Sequence, residues 1–300
     1  MTPVTLGRAR LFHGDALAWL DAQPDDTLHA VVTDPPYGVR EYEPDELSKR
    51  TAKRGGVWRI PPVLDGQQRA PIPRFTALSE REREEVAAFF TAWSRALLRP
   101  LRPGAHVLVA SNAFLSQRVF GAIAAGGLEF RGELIRLVRT LRGGDRPKNA
   151  EGEFPAVVTF PRGCYEPWGV FRKPLPRGMT VAECLRRWDT GALRCPRDGG
   201  DFEDVIPSER TPARERRIAE HPSLKPQSFL RRVVWAALPL GRGVVVDTFM
   251  GSGSTLAAAE ALGYESVGVE RDDGYFALAK KAVPALAALE VTTKKPARRD

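Results

Sequence analysis

Val244-Val245-Val246-Asp247-Thr248-Phe249-Met250-Gly251-Ser252-Gly253-Ser254-Thr255 is the stretch on which the reading of this chain turns. Three successive valines cannot alternate between core and solvent, so they predict a strand covered on both faces, as in a parallel sheet. Asp247 ends that strand, a glycine-rich turn follows, and an alanine-rich helix is expected from Thr255 to Leu262, stopped by Gly263. Glycines in such a turn let the backbone approach a ligand, and the helix N-terminus offers unpaired N–H groups to a negative group. Glu270 ends the next expected strand, Ser266 to Glu270, about 20 residues beyond the turn, where a carboxylate can accept both hydroxyls of a ribose. No Gly-Lys-Ser/Thr follows, which excludes a phosphate-binding P-loop. The pattern alone does not separate a nicotinamide cofactor from S-adenosylmethionine, or either from a structural glycine turn.

Outward from this unit, strands and helices alternate at both ends of the chain. A helix is expected from Gln227 to Leu238 and a last one from Gly274 to Ala282. Near the start, Leu6 to Phe12 reads as a strand leading to His13-Gly14-Asp15, Ala16 to Asp21 as a short helix, and Ala30 to Thr33 as a buried strand. That strand must stop at Asp34-Pro35-Pro36-Tyr37, because neither proline can donate to a ladder. From Glu41 to Arg74 the pattern dissolves into charge, glycine and proline, a long loop of the kind that usually carries function or disorder. Ser79 with Glu82 forms a capping box for a helix whose Val86, Phe89, Phe90, Trp93 and Leu97 recur at helical spacing. Arg102-Pro103-Gly104 reads as a turn into a strand, Ala105 to Ala110, followed by a helix around Leu115 to Ala125 and a strand from Glu133 to Val138. Between Arg139 and Pro207 the alternation is lost, and this span reads as an inserted lobe outside the sheet. The pattern predicts an α/β fold: an open, mostly parallel, doubly wound sheet with ligands at the carboxyl ends of its strands.

The 300 residues carry a formal charge of +8 and a sequence pI near 9.7, which favours a polyanionic partner. A generally arginine-rich proteome is the competing explanation. Against it, Arg131 to Arg197 holds 14 basic and 7 acidic residues, nearly the whole excess. Concentrated positive charge is what phosphate contacts require, since each one releases counterions. Tyr165, Trp168, Phe171 and Trp188 are interleaved with arginines in the same span. The three cysteines, Cys164, Cys184 and Cys195, lack zinc or redox spacing, and no metal site is expected. No bilayer-length apolar run and no secretory pattern at the N-terminus are seen, so a cytoplasmic protein is expected.

The two strings together, Asp34-Pro35-Pro36-Tyr37 early and the Asp247 to Thr255 turn late, resemble the DNA amino-methyltransferases. That family moves a methyl group from S-adenosylmethionine to an exocyclic base nitrogen. The order, catalytic string first and glycine-rich string last, is similar to the family's permuted β class. His221-Pro222-Ser223-Leu224-Lys225-Pro226 resembles the family's helix-leading motif. The resemblance spans about Leu11 to Gly38 and His221 to Val283, with weaker support across Ser79 to Val138. It departs at Arg136-Leu137-Val138-Arg139, where members often carry a Trp-x-Lys-like string.

The resemblance implies a Rossmann-like methyltransferase fold with a catalytic half over 1–138, an inserted target-recognition region over 139–207, a cofactor half over 208–291 and a basic tail over 292–300. It implies S-adenosyl-L-methionine as cofactor, held by Asp15, Lys225, Asp247, Phe249, Gly251, Gly253, Ser254 and Glu270. Lys225 would pair with the methionine carboxylate, and Asp15 would accept from the cofactor's adenine amino group, although an acid at a strand end more often caps a helix. Asp34, Pro35, Pro36 and Tyr37 would be catalytic. An exocyclic amine is a poor nucleophile while its lone pair is delocalised into the ring; the Asp34 carboxylate and the Pro35 carbonyl would hold the NH2 group pyramidal, and Tyr37 would stack on a base flipped from the duplex. In-line transfer then depends on positioning, without metal or covalent intermediate. Arg139, Arg142, Arg146 and Lys148 are the candidates for DNA contact. Aspartate at the first position favours adenine N6, with cytosine N4 as the alternative. Double-stranded DNA is the implied partner; a homodimer and a cognate restriction endonuclease are left open. A nicotinamide-dependent oxidoreductase leaves Asp34 to Tyr37 unexplained, and a catalytically idle DNA-binding module is opposed by the intact Asp34, Tyr37, Gly251 and Gly253.

Overall fold

The computed structural model describes residues 2–36, 80–138, 146–147, 149–197, 199–221 and 223–291, with the backbone of 63–64 and 67–68. In chain order the elements are β1 (Val4–Leu6), β2 (Ala9–His13), α1 (Ala16–Asp21), β3 (Leu28–Thr33), the short pair β4 (Val63–Leu64) and β5 (Gln67–Gln68), α2 (Glu80–Leu98), β6 (Leu101–Ala110), α3 (Ser116–Ala125) and β7 (Glu129–Leu137). Then come β8 (Tyr165–Arg172), α4 (Val181–Trp188), β9 (Val205–Pro207), α5 (Ala213–Ile218), α6 (Gln227–Ala237), β10 (Val244–Asp247), α7 (Ser254–Ala261), β11 (Glu265–Glu270) and α8 (Asp273–Ala287).

Nine strands form one sheet in the order β1-β2-β11-β10-β3-β6-β8-β7-β9. The five strands β2, β11, β10, β3 and β6 are mutually parallel, so their carboxyl ends share one edge. Side chains along a strand alternate between faces, and here each face has its own core. Val31, Val107, Val109 and Val246 pack with Trp19, Phe90, Trp93 and Ile123 of the helices α1 to α3. Their neighbours Ala30, Val32, Leu108 and Val245 pack with Phe229, Val233 and Val234 of α6 and with Ala258 of α7. The sheet is therefore doubly wound, which is why its central strands read as unbroken apolar runs.

Three expectations are corrected. The strand expected over Leu6 to Phe12 is two strands, β1 and β2, folded antiparallel about Gly7, whose φ of +57° turns the chain. The Arg102-Pro103-Gly104 turn lies inside β6 as a bulge: Leu28 pairs with Leu101, yet Ala30 pairs with His106. Gly104 supplies the positive φ of +77° there. The largest correction concerns the span read as outside the sheet. Within it, β8 inserts between β6 and β7, antiparallel to both, and β9 pairs with β7. Trp168 and Phe171 are fully buried core residues, not a nucleic-acid surface. An antiparallel strand can follow its neighbour without a crossover helix, so the strand–helix alternation used to trace the sheet had no signal at this point. Helix α4 was missed although its capping box, Thr180 with Glu183, is present. Ser79, the expected cap of α2, lies outside the described residues.

Candidate active site

The strand ends bring the two decisive strings together. Parallel pairing sets Asp247 at the end of β10 beside β3, whose last residue, Thr33, precedes Asp34. The Thr33 hydroxyl donates to Asp247 Oδ1 at 2.6 Å, a buried bond across 214 positions. Asp247 Oδ1 also accepts from Phe249 N at 3.1 Å, so this carboxylate braces the turn it begins. Burial pushes the Asp247 carboxyl up to about 6, against the hydrogen bonds from Thr33, Thr255 and Phe249 N, which favour the ionised form.

On the other side of β10, Glu270 ends β11. Its Oε2 accepts Gly251 N at 2.9 Å and its Oε1 accepts Asp272 N at 2.8 Å. A carboxylate has about four acceptor positions, so both oxygens can still accept from a diol. Gly14 N donates to the Glu270 carbonyl at 2.9 Å, which seats Asp15 beside it at the end of β2. Asp15 Oδ1 caps α1 through Leu17 N at 2.9 Å and Ala18 N at 3.0 Å. The capping role weighed for Asp15 is thus present.

The turn itself separates two uses of glycine. Gly251 has φ +50°, and a Cβ there would lie 2.9 Å from His221 Nε2. His221 forms the adjacent wall: its ring stands edge-on to Tyr275 at 4.5 Å, its Nδ1 accepts Ser223 N at 3.1 Å, and burial lowers its pKa to about 4, keeping it neutral. Gly253 has φ +78°, and its Cβ would run into Val283 of α8. Packing against α8 demands glycine there, in addition to the ligand approach that the sequence reading expects. Phe249 stands 5.8 Å from the Trp93 ring and 6.0 Å from Phe89, tied to the core beneath.

Lys225, in the segment leading to α6, points across the cleft to the first string. Its Nζ is 2.5 Å from Asp34 Oδ2 and 3.5 Å from Glu166 Oε2. Burial would lower its pKa, but the two carboxylates outweigh that and hold it raised. A cleft is lined by Asp34, Trp168, His221, Lys225, Asp247, Phe249, Gly251 and Ser254, among others. Of the expected residues, the structure therefore gathers Asp34, Lys225, Asp247, Phe249, Gly251 and Ser254 around one cavity. Glu270 is tied to it through Gly251, and Asp15 follows Gly14, which is tied to Glu270. Pro35 is buried and Pro36 exposed beside Asp34. Tyr37, Arg139, Arg142 and Lys148 lie outside the described residues; Arg146 is half-buried. Sequence reasoning missed Glu166, Thr33 and Thr255. Glu166 lies on the strand misread as insert, and the other two look like ordinary hydroxyl residues at element ends.

The residues present suit S-adenosylmethionine chemistry: an ammonium for a carboxylate, a carboxylate at a strand end for a diol, and glycine where a Cβ would crowd the cleft wall. Among the described residues no group of three or more His, Cys, Asp or Glu could hold a metal ion, and no helix is long and apolar enough to cross a membrane.

Residues 164–281 match the family model described as DNA methylase. The chain is 23% identical over 292 residues to the Type II methyltransferase M.HindIII of Haemophilus influenzae, covering 90% of this chain and 93% of that one. It is 24% identical to the Type II methyltransferase M.ScaI of Streptomyces caespitosus, covering 90% of this chain and 79% of that one. Among solved structures, a Thermus thermophilus protein described as a DNA modification methylase, complexed with S-adenosyl-L-methionine, superposes with a TM-score of 0.55 at 18% identity, covering 93% of this chain and 94% of that one. The cytosine-N4-specific PvuII DNA methyltransferase superposes with a TM-score of 0.57 at 14% identity, covering 94% of this chain and 86% of that one.

Proposed function

We propose that this chain, one of the DNA amino-methyltransferases by its sequence kinship and fold, methylates N6 of adenine at a specific site in double-stranded DNA. The single observation that carries the reading is the convergence of Asp34, from the start of the chain, with Lys225, Asp247 and Gly251, from its end, around one cleft. A carboxylate for the target amine and a cofactor cradle are both needed, within reach of each other.

S-adenosyl-L-methionine supplies the electrophilic methyl group. Glu270 suits its ribose diol, Lys225 its carboxylate, and the turn at Gly251 to Ser254 its close approach. The Asp34 carboxylate accepts from the base NH2, which turns the nitrogen lone pair away from the ring. The Pro35 carbonyl serves as second acceptor and Tyr37 as the stacking face for the flipped base. Once the nitrogen is methylated it carries a proton to be lost, and Asp34 is the nearest acceptor assigned to it. Aspartate at the first position of the string favours adenine over cytosine N4. Arg139, Arg142, Arg146 and Lys148 supply phosphate contacts, and the protein works in the cytoplasm.

Incubation with methyl-labelled S-adenosylmethionine and DNA, followed by mass analysis of the nucleosides, tests the reading. N6-methyl-2′-deoxyadenosine is the expected product. N4-methylcytosine would overturn the choice of base, and no labelled nucleoside with any DNA would overturn the function.

A further inference from the structure

Behind Asp34 runs a line of alternating charge. Asp34 meets Lys225 at 2.5 Å, Lys225 meets Glu166 at 3.5 Å, and Glu166 meets Arg136 at 3.3 Å. Side-chain exposures of 16%, 10%, 20% and 6% put all four largely out of water. Glu166 is fixed at both oxygens. Trp168 Nε1 donates to Oε1 at 2.8 Å, and Oε2 faces the two cations. Arg136, on β7, is held in turn by the Ser208 hydroxyl at 3.0 Å, the Glu209 carbonyl at 2.9 Å and the Phe229 ring at 5.3 Å.

This arrangement bears on how Asp34 becomes available. A buried ammonium at 2.5 Å occupies the carboxylate that the target amine must reach, and in a low-dielectric site such a contact is costly to give up without a replacement. We propose that Glu166, aimed by Arg136 and Trp168, is a positioning residue that acts with the cofactor carboxylate assigned to Lys225, drawing the ammonium off Asp34 and so releasing Asp34 to the incoming amine. The proposal rests on the methyltransferase reading. The other charged or titratable groups facing Lys225 and Asp34 do not replace Glu166: His221 is kept neutral by burial, Asp247 is engaged with Thr33 and Phe249 N, and Arg136 is a cation.

Three variants test it. Glu166→Gln should lower kcat at least tenfold while KM for S-adenosylmethionine stays within a few-fold. In the free protein, the Lys225 ammonium, followed by NMR of labelled lysine, should titrate at lower pH than in the parent, because Glu166 is one of the two carboxylates that hold it raised. Arg136→Met/Glu166→Gln restores the charge balance but not the second carboxylate, so kcat should stay low; Glu166→Asp should recover part of it. Parental kcat in Glu166→Gln, or its return in the double variant, overturns the proposal, because Glu166 would then only neutralise Arg136. Should the parent methylate no DNA, the functional reading fails, and the Lys225 titration decides the contact: an unchanged value in Glu166→Gln overturns it.

Discussion

The Lys225 ammonium sits 2.5 Å from the Asp34 carboxylate, linking positions 191 residues apart across the cleft. The sequence reading assigned the two to different tasks, one to the cofactor and one to the target base. Their contact makes the tasks interdependent, since whatever draws Lys225 away exposes Asp34.

Asp34→Ala should abolish methyl transfer, with a fall of at least about 100-fold expected for a group aimed at the reacting nitrogen. Cofactor affinity should be retained or increased, because the Lys225 ammonium is no longer engaged by Asp34. Removing one partner of a buried pair should also destabilise the fold, by less than the ~3–5 kcal/mol of a fully uncompensated charge, because Glu166 still faces Lys225. Radiolabel transfer and calorimetric titration on the same purified variant check both parts. Near-parental turnover removes Asp34 from the chemistry.

The two turn glycines should behave differently. Gly251→Ala places a Cβ 2.9 Å from His221 Nε2 at the cleft wall and a non-glycine residue at φ +50°, so S-adenosylmethionine affinity should drop at least tenfold together with a modest fall in melting temperature. Gly253→Val drives its side chain into Val283 on α8, so this variant should lose stability first, seen as poor expression and a lowered Tm. Equal affinity in Gly251→Ala and parent would mean that the turn does not touch the cofactor.

Thr33→Val removes the hydroxyl that donates to Asp247 at 2.6 Å, a buried bond to a carboxylate. Urea unfolding should show a loss of about 1.5–3 kcal/mol. A value inside experimental error would mean that Asp247 is protonated or bonded elsewhere at neutral pH.

Acid should weaken the fold before carboxylates protonate widely. Burial lowers His29, His106 and His221 to about 4 from an ordinary 6.5. Between those values the unfolded chain binds more protons than the folded one, so stability is lost as pH falls from about 6.5 toward 4. Asp247, raised to about 6 from 3.8, acts in the opposite sense over that lower window. Burial also raises Glu215, which acts with Asp247, so three groups oppose two, and the expected result is a Tm that declines from about pH 6.5 to 4.5. A rise in Tm over that range would contradict the buried, neutral histidines.

DNA binding should depend on salt through the basic residues of the middle span. Replacing Arg139, Arg142, Arg146 and Lys148 with alanine should flatten the log–log salt slope by up to about 0.9 for each phosphate no longer neutralised, without altering cofactor affinity. A change in sequence discrimination at an unaltered slope would reassign these side chains to base edges.

The sequence by itself determined the doubly wound sheet, because strands buried on both faces must be written as apolar runs such as Val244 to Val246, and because turns and caps are local. It also carried the resemblance that implies methyl transfer, since Asp34-Pro35-Pro36 and Gly251-Ser252-Gly253 are contiguous strings that can be matched without knowing their neighbours in space. What only the tertiary structure decided were relations between distant positions. The place of β8 in the sheet was invisible because antiparallel pairing leaves no strand–helix rhythm, so Trp168 and Phe171 read as a basic insert's aromatics when they are core. Glu166 follows from the same strand: one acid in a basic stretch has no sequence period, and its meaning comes from lying 3.5 Å from Lys225 and 3.3 Å from Arg136. That Gly253 must also be glycine to admit α8 emerges only once that helix packs against it. Periodicity records which face of an element is buried, whereas the partner that buries it, and the charge that a carboxylate meets there, exist only once the chain has closed on itself.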